Sequence, residues 1–181
     1  CCPAWVRYAE TKHPELMPYL STSKSPLEMF AAVLRAYYRE LDKKEHKDTV
    51  SVAIMPCTAK KYEISREEFK HNGRQDVDYV LTTVELINMI KEIGILFDRI
   101  EGEACDMPFG LHSGAGEIFG TTGGVTEAAI RRVVADKSPK SLKDIEFMGF
   151  RGMEGVKLCE VEVNGRQLRI GVVSGLGNAE K

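Results

Sequence analysis

The sequence predicts an α/β fold, with a mainly parallel sheet flanked by helices and a C-terminal antiparallel β-hairpin. Two short β-branched runs, at 49–55 and 78–81, alternate with two helices that begin at recognisable caps, an order typical of parallel strands with covering helices. Near the C-terminus, two further runs flank Asn164-Gly165, a dipeptide favoured in two-residue hairpin turns. We expect residues 1–181 to form a single domain with a mixed sheet, because 181 residues suffice for one hydrophobic core.

Three helices are predicted from caps and periodicity. Ser25-Pro-Leu-Glu28 is a capping box with proline at the first helical position, and apolar residues then recur at helical spacing, which predicts a helix over 26–41. Thr82-Thr-Val-Glu85 is a second box, and Gly94 is placed to end its helix. A third helix is expected over 125–135. The Ser25 cap should contribute about 1 kcal/mol to stability.

Residues 49–55, TVSVAIM, form a short apolar run typical of a strand that is buried on both faces. Pro56 lacks a backbone N–H and should end this strand. Cys57 would then lie at the carboxyl end of a buried strand, which is where open α/β sheets bind their ligands. Further strands are expected at 145–150 and, as the two arms of the hairpin, at 156–163 and 166–173. The glycine-rich stretch 103–124 is predicted to be a long loop, a kind of segment that is often functional.

The composition argues against several classes of function. A formal net charge of −2 provides no basic surface for nucleic acid, and no apolar stretch approaches the length of about 20 residues that spans a bilayer. The N-terminus lacks the basic and apolar regions of a signal peptide, so a cytoplasmic location is expected. Because the chain begins with cysteine rather than methionine, we expect it to be part of a longer protein.

The five cysteines are an odd number that includes the adjacent pair Cys1-Cys2, and they predict reduced thiols rather than a disulfide framework. In this pair, one thiol could bind a metal while the other faces another group; a vicinal disulfide is the alternative. Cys57 is either a small buried hydrophobe or a ligand or nucleophile, whose thiolate the lysines that follow would favour. Cys159 alternates with valines on a predicted strand and is expected in the core.

Three motifs stand out along the chain: Cys1-Cys-Pro-Ala-Trp5, Met55-Pro-Cys-Thr-Ala-Lys-Lys-Tyr-Glu63 and Phe119-Gly-Thr-Thr-Gly-Gly124, with Leu20-Ser-Thr-Ser-Lys-Ser-Pro26 between the first two. Their order and spacing resemble those of the catalytic domain of the iron-only (di-iron) hydrogenases. The resemblance covers essentially the whole chain and implies one lobe of that domain. In the family, Thr-Ser precedes the first motif and a further motif with two cysteines follows. We therefore expect this chain to be the middle of a larger domain, and to be inactive by itself.

The resemblance also implies a cofactor and its ligands. In the family, four cysteines hold a cubane 4Fe-4S cluster, and one of them bridges to a di-iron subsite that carries carbonyl and cyanide ligands; together these form the H-cluster. By position, Cys2 and Cys57 would be two of the cubane ligands. Cys1 would exchange protons with the subsite, and Ser21 and Glu63 match an outward relay of hydroxyl and carboxylate. From the residues alone, a carboxylate on a helix surface is the preferred interpretation of Glu63.

Five further residues match positions that contact the subsite in the family. Lys60 matches a lysine that donates a hydrogen bond to a cyanide ligand, a role that suits an ammonium with three donors. Met55 and Phe119 match apolar residues that pack against the subsite. Ser25 and Pro26 match residues near the other cyanide, although Ser25 can also act as a helix cap.

The implied activity is that of an oxidoreductase of anaerobic hydrogen metabolism, which interconverts H2 with protons and electrons. The electron partner would be a ferredoxin or an NAD(P)-linked subunit. The alternative is a non-catalytic relative, either an iron–sulfur assembly factor or an H2 sensor. Assembly factors generally have a single cysteine where this chain has Cys1-Cys2, and they need no proton relay. The presence of both Cys1 and Glu63 therefore favours catalysis.

Overall fold

A computed structural model describes residues 1–111, 113–135, 155–163 and 165–180 of the chain. The chain divides into two compact units, Cys1–Glu103 and Ala104–Lys181. Helices and strands occur in both units, which agrees with the predicted α/β class. Among the described residues, none of the helices combines the length and the apolar character needed to cross a membrane.

The first unit contains four α-helices. They are α1 (Pro3–Lys12), α2 (Pro26–Glu45), α3 (Ala59–Glu63) and α4 (Thr83–Ile93), with 3₁₀ turns at Pro14–Tyr19, Glu67–Phe69 and Phe97–Arg99. Helix α2 begins at the predicted proline but continues four residues beyond the predicted end at 41. These last residues are charged, so an apolar pattern does not detect them, and the helix ends where His46 adopts a left-handed conformation with φ 54°.

The two predicted capping boxes differ in the structure. At α4 the box is complete, because Thr82 Oγ1 accepts from the Glu85 N–H at 3.2 Å and Glu85 Oε2 accepts from the Thr82 N–H at 2.7 Å. At α2, Ser25 Oγ accepts from the Glu28 N–H at 3.3 Å, but neither carboxylate oxygen of Glu28 has a hydrogen-bond partner among the described residues. The Ser25 box is therefore only half formed, and the Glu28 side chain is directed elsewhere.

The first unit also contains two short sheets. Strands β1 (Val52–Met55) and β4 (Tyr79–Thr82) pair in parallel, and β2 (Lys70–His71) pairs antiparallel with β3 (Arg74–Gln75). The parallel pair and helix α4 confirm the predicted alternation. Strand β1 starts three residues later than predicted, because the preceding N–H groups bond to side chains instead of a strand: Thr49 N–H donates to Asp42 and Ser51 N–H donates to Asp78.

The prediction that β1 is buried on both faces is wrong for this structure. Val52 is 48% exposed and Ile54 is 44% exposed, whereas Ala53 and Met55 alternate with them and are half-buried. The half-buried pair packs against a small core formed by Ala31, Val77 and Val80. Only one face of β1 is covered within the first unit, so an apolar strand sequence did not distinguish a two-sided from a one-sided environment.

The second unit contains short helices and a long hairpin. Its elements within the described residues are α5 (Ala115–Ile118), α6 (Gly124–Ala135), β5 (Val156–Val163), β6 (Arg166–Val173) and α7 (Leu176–Ala179). Strands β5 and β6 pair antiparallel along their full length, with Val156 opposite Val173, which confirms the predicted hairpin. The predicted strand at 145–150 lies outside the described residues. The side chain of Cys159, which was expected in the core, is likewise outside what the structure describes.

The expected mixed sheet is not found among the described strands, which form three separate two-stranded sheets. Each antiparallel pair is local in sequence, whereas only β1 and β4 pair through a crossover. The predicted loop at 103–124 also contains the short helix α5. At its end Gly124 passes so close to Ile118 that an added Cβ would collide with the Ile118 carbonyl, which explains the need for glycine there.

Candidate active site

The thiols of Cys1 and Cys2 lie at the start of helix α1. Cys2 is the residue before the helix and has an extended backbone, and Pro3 is the first helical residue. Proline is favoured at this position because its φ is already suitable for a helix and its missing N–H is not needed there. Both thiols are exposed and neither forms a disulfide. The alternative of a vicinal disulfide is therefore not observed.

Cys57 lies between strand β1 and helix α3, as predicted. The strand ends at Met55, and the helix begins two residues after Cys57 at Ala59. The Cys57 thiol is exposed and unpaired, so it is not a small residue of the core. It thus lies at the carboxyl end of a parallel strand, where α/β sheets bind ligands.

Helix α3 directs Lys60 and Glu63 into the interior. Residues three apart on a helix share a face, and here the Lys60 ammonium donates to Glu63 Oε2 at 2.8 Å. The same ammonium donates to the carbonyl oxygen of Cys1 at 2.9 Å. Lys60 is 7% exposed and Glu63 is 5% exposed, so the interpretation of Glu63 as a helix-surface carboxylate is wrong.

A cavity of about 480 Å³ adjoins this ion pair and is lined by four residues of the predicted site: Cys1, Ser21, Ser25 and Glu63. Ser21 is exposed, and its hydroxyl oxygen accepts from the Ser23 N–H at 3.1 Å. Ser25 is 4% exposed and its hydroxyl is used by the helix cap. The cavity thus brings together a thiol, two hydroxyls and a carboxylate from three separate segments of the chain.

One wall of the cavity is held by an ion pair between helix α1 and the segment that follows α3. Arg66 donates two hydrogen bonds to Glu10 of α1, at 2.6 and 3.0 Å. These bonds hold the pKa of the Glu10 carboxyl below its usual value. Arg66 and Arg7 also lie over the Tyr62 ring, 5.7 and 4.8 Å from its centre. The contacts connect α1, which follows the two thiols, to α3.

Three charged residues near the site, two buried carboxyls and one partly buried lysine, were missed by the sequence analysis. Glu28 and Asp76 are 0% and 1% exposed, and Lys24 lies 3.6 Å from Asp76. Burial raises the pKa of Glu28 to about 7, and the carboxylates of Glu63 and Asp76 contribute to the increase. The sequence offered no signal that Glu28 is buried, because a glutamate at the third position of a helix is the expected partner of a serine cap.

The remaining predicted residues occupy different surroundings. Met55 is half-buried at the end of β1 and packs against the small core of the first unit. Pro26 is the first residue of α2. Phe119 follows α5 in the second unit and is 40% exposed.

The donor set fits part of an iron–sulfur site. In the described part of the chain, no group of three or more His, Cys, Asp or Glu side chains is arranged to hold a metal ion. Cys2 and Cys57 are nevertheless free and exposed thiols. Cys2 directly precedes α1, and Cys57 lies two residues before α3. A cubane cluster is held by about four thiolates, so two such thiols would be half of a ligand set.

Comparison with known proteins identifies the family. The model for the iron only hydrogenase large subunit, C-terminal domain, matches residues 1–181. The chain is 45% identical over 181 residues to the NADP-reducing hydrogenase subunit HndD of Solidesulfovibrio fructosivorans, and 44% identical over 178 residues to the periplasmic Fe hydrogenase large subunit of Nitratidesulfovibrio vulgaris. The chain belongs to the iron-only hydrogenase large-subunit family.

A known structure agrees with this assignment. The apo FeFe hydrogenase HydA1 of Chlamydomonas reinhardtii, variant C377H, superposes with a TM-score of 0.76 and 36% identity, over 99% of this chain and 52% of that chain. The chain spans 31% of the length of HndD and 42% of the length of the periplasmic large subunit. A less similar relative, the cytosolic Fe-S cluster assembly factor narfl of Xenopus tropicalis, is 28% identical over 141 residues, or 75% of this chain.

Proposed function

We propose that the protein containing this chain is an iron hydrogenase that catalyses the reversible conversion of protons and electrons into H2. The observation that carries this proposal is the position of Lys60, whose buried ammonium bonds both to Glu63 and to the backbone of Cys1. This arrangement joins a charged pair to the segment that bears two free thiols. It matches the chemistry of a site that binds anionic ligands and moves protons.

Cys2 and Cys57 are the residues we propose as ligands of the cubane cluster, with the other ligands outside this chain. When bound, the H-cluster would pass electrons between the redox partner and the substrate and would supply the metal at which H2 is formed or split. The free and exposed state of both thiols supports this role, because thiolates are the usual ligands of iron–sulfur clusters. The 181-residue chain alone would hold an incomplete cofactor or none, and we propose that it is inactive.

The proton is proposed to pass through Cys1, Ser21 and Glu63, all of which line the cavity. A thiol can give and receive a proton near neutral pH, and a hydroxyl can donate one hydrogen bond while it accepts another. Glu63 can take up a proton at its carboxylate, where Lys60 already donates a hydrogen bond. Water in the cavity would complete the hydrogen-bonded path between these groups.

Lys60 is proposed to orient two groups, the cofactor and the Glu63 side chain. An ammonium has three N–H donors, and two of them are used by Glu63 and the Cys1 carbonyl among the described residues. The third can donate to an anionic ligand such as cyanide. Met55, Phe119, Ser25 and Pro26 are proposed as further contacts of the di-iron subsite, on the basis of their positions in the motifs.

Electrons are proposed to come from a ferredoxin or from an NAD(P)-linked subunit, with H2 and protons as the substrates. The name of HndD, an NADP-reducing hydrogenase subunit, supports a pyridine-nucleotide link in that relative. We propose a cytoplasmic location for this protein. One relative of similar identity is named a periplasmic enzyme, so the location needs its own test by cell fractionation.

The second candidate function is a non-catalytic role in iron–sulfur assembly or H2 sensing. The similarity to an assembly factor supports it, but at lower identity than the similarity to the hydrogenases. The presence of Cys1, Ser21 and Glu63 around one cavity favours catalysis, because an assembly factor needs no proton path.

The test is H2 evolution by the full-length protein, loaded anaerobically with the cubane cluster and a synthetic di-iron subsite. We expect activity that falls at least about 100-fold in Cys1→Ala, the lower end of the usual effect of removing a proton-transfer group. Cys105→Ala is the matched control, because Cys105 is another exposed free thiol, in the second unit. A fully loaded but inactive protein would support assembly or sensing instead, and equal activity of Cys1→Ala and wild type would exclude Cys1 from proton transfer.

A further inference from the structure

Glu28 is buried in an unusual state for a carboxylate. Its side chain lies in the first turn of α2 and is 0% exposed, yet neither carboxylate oxygen has a hydrogen-bond partner among the described residues. A buried ionised carboxylate without a donor is unfavourable by several kcal/mol, whereas a protonated one is much less so. The surroundings of Glu28 therefore favour its neutral form.

The charges around Glu28 point to the same state. Five buried or partly buried groups form one cluster: the carboxyls of Glu28, Glu63 and Asp76, and the ammonium groups of Lys24 and Lys60. Lys60 pairs with Glu63 at 2.8 Å, and Lys24 pairs with Asp76 at 3.6 Å. Full ionisation would place three negative charges beside two positive ones.

Asp76 has a further partner at the protein surface. Its two carboxylate oxygens lie 2.8 and 2.7 Å from Nδ1 of His71, whose side chain is 52% exposed. Asp76 is thus held by Lys24 and His71, and Glu63 is held by Lys60. Glu28 is the one carboxyl of the cluster without such a partner in the described part of the chain, so the surplus negative charge falls on it.

We propose that Glu28 holds a proton near neutral pH, and that its neutral form keeps Lys60 bonded to Glu63 and to the Cys1 carbonyl. When Glu28 loses this proton to solvent, its carboxylate becomes a second anionic partner for Lys60 and weakens the bond to Glu63. Glu28 is therefore a positioning residue that acts through Lys60. Its protonation follows from the cluster alone, whereas its effect on turnover rests on the proposed function.

The first test is infrared spectroscopy of the full-length protein without its cofactor, at mildly acidic pH. We expect the carbonyl-stretch band of a protonated carboxyl in the wild type, and its loss in Glu28→Gln. Glu67→Gln is the matched control, because the Glu67 side chain is 81% exposed and should leave the band unchanged. A difference spectrum without this band would overturn the proposal.

Two neighbouring substitutions test the cluster by opposite shifts. Asp76→Asn removes a negative charge near Glu28 and should lower the pH at which the band is half lost. Lys24→Met removes a positive charge and should raise it. Shifts in these two directions support the five-group cluster even if Glu28→Gln folds poorly, and unchanged midpoints would overturn it.

The effect on the proposed reaction is measured separately in the loaded protein. The H2 evolution of the wild type should decline as pH rises through the range in which Glu28 ionises, while Glu28→Gln should keep its activity to higher pH. Identical pH profiles would overturn the positioning role. If the infrared band behaves as expected but the loaded wild type makes no H2, the proposed function fails while the protonation of Glu28 stands.

Discussion

The ammonium nitrogen of Lys60 lies 2.8 Å from a carboxylate oxygen of Glu63 and 2.9 Å from the carbonyl oxygen of Cys1, with both side chains of the ion pair almost fully buried. One lysine thus connects the short helix after Cys57 to the N-terminal thiols, 59 residues earlier in the chain. We therefore expect the stability of the site, and its proposed chemistry, to depend on this residue.

Lys60→Met should destabilise the protein by about 3–5 kcal/mol, because removal of one partner leaves the other charge buried and uncompensated. The adjacent Lys61→Met is the matched control. Lys61 pairs with Glu85 at the surface, where both side chains are more than 40% exposed, and its loss should have a much smaller effect. Urea unfolding of the two variants measures the difference. Equal losses would contradict the structural importance of the buried pair.

Glu28→Gln should change how stability depends on pH. The pKa of Glu28 is raised from 4.5 to about 7 in the folded protein, so the folded state binds this proton more tightly than the unfolded state. Its contribution to stability is complete below pH 4.5 and is lost as pH rises to about 7. Glutamine does not ionise, so the Glu28→Gln variant does not lose stability through this proton. Above this pH range the variant should be more stable than the wild type by up to about 3 kcal/mol.

The measurement for Glu28→Gln is the free energy of unfolding at a series of pH values, compared with the wild type. The other ionisable groups contribute to both curves, so the difference between the curves isolates this residue. A difference that does not vary between pH 4.5 and about 7 would show that the pKa of Glu28 is not raised.

Ser25→Ala should cost about 1 kcal/mol, since Ser25 Oγ accepts the N–H of Glu28 at the start of α2. Ser21→Ala is a suitable comparison for stability. Ser21 also accepts a backbone N–H, but it is exposed and lies outside a helix. Thermal unfolding should show a clear decrease in Tm for Ser25→Ala and little change for Ser21→Ala. A larger effect at Ser21 would argue against the cap as the main role of Ser25 in stability.

Two glycines of the second unit should respond in opposite directions to alanine. Gly124→Ala places a methyl group against the Ile118 carbonyl and should lower stability by about 1–3 kcal/mol, the cost of overpacking. Gly116 lies in α5 with no atom within 4 Å of an added Cβ, so Gly116→Ala should stabilise the protein by about 0.4–1 kcal/mol. Denaturant midpoints of both variants measure the effects, and a loss of stability in Gly116→Ala would contradict the open space around Gly116.

Local signals in the sequence were sufficient for much of the fold. The cap at Thr82, the proline that starts α2 and the Asn164-Gly165 dipeptide in the sequence are each signals of a few residues, and the helices and the hairpin that they predict are present. Features that depend on distant neighbours were predicted less well. The exposed face of β1 and the separation of the sheets depend on which elements cover or join each strand, and an apolar run carries no information about either.

The same division applies to the candidate site. The sequence alone determined the family, through three cysteine- and glycine-containing motifs, and it placed Cys57 at the end of a strand because proline must stop the ladder there. Only the tertiary structure decided that Lys60 meets the Cys1 carbonyl and that Glu28 is buried without a hydrogen-bond donor in the described chain. The physical reason is that burial and charge pairing depend on side chains from separate elements, whereas motifs and caps depend on neighbours along the chain.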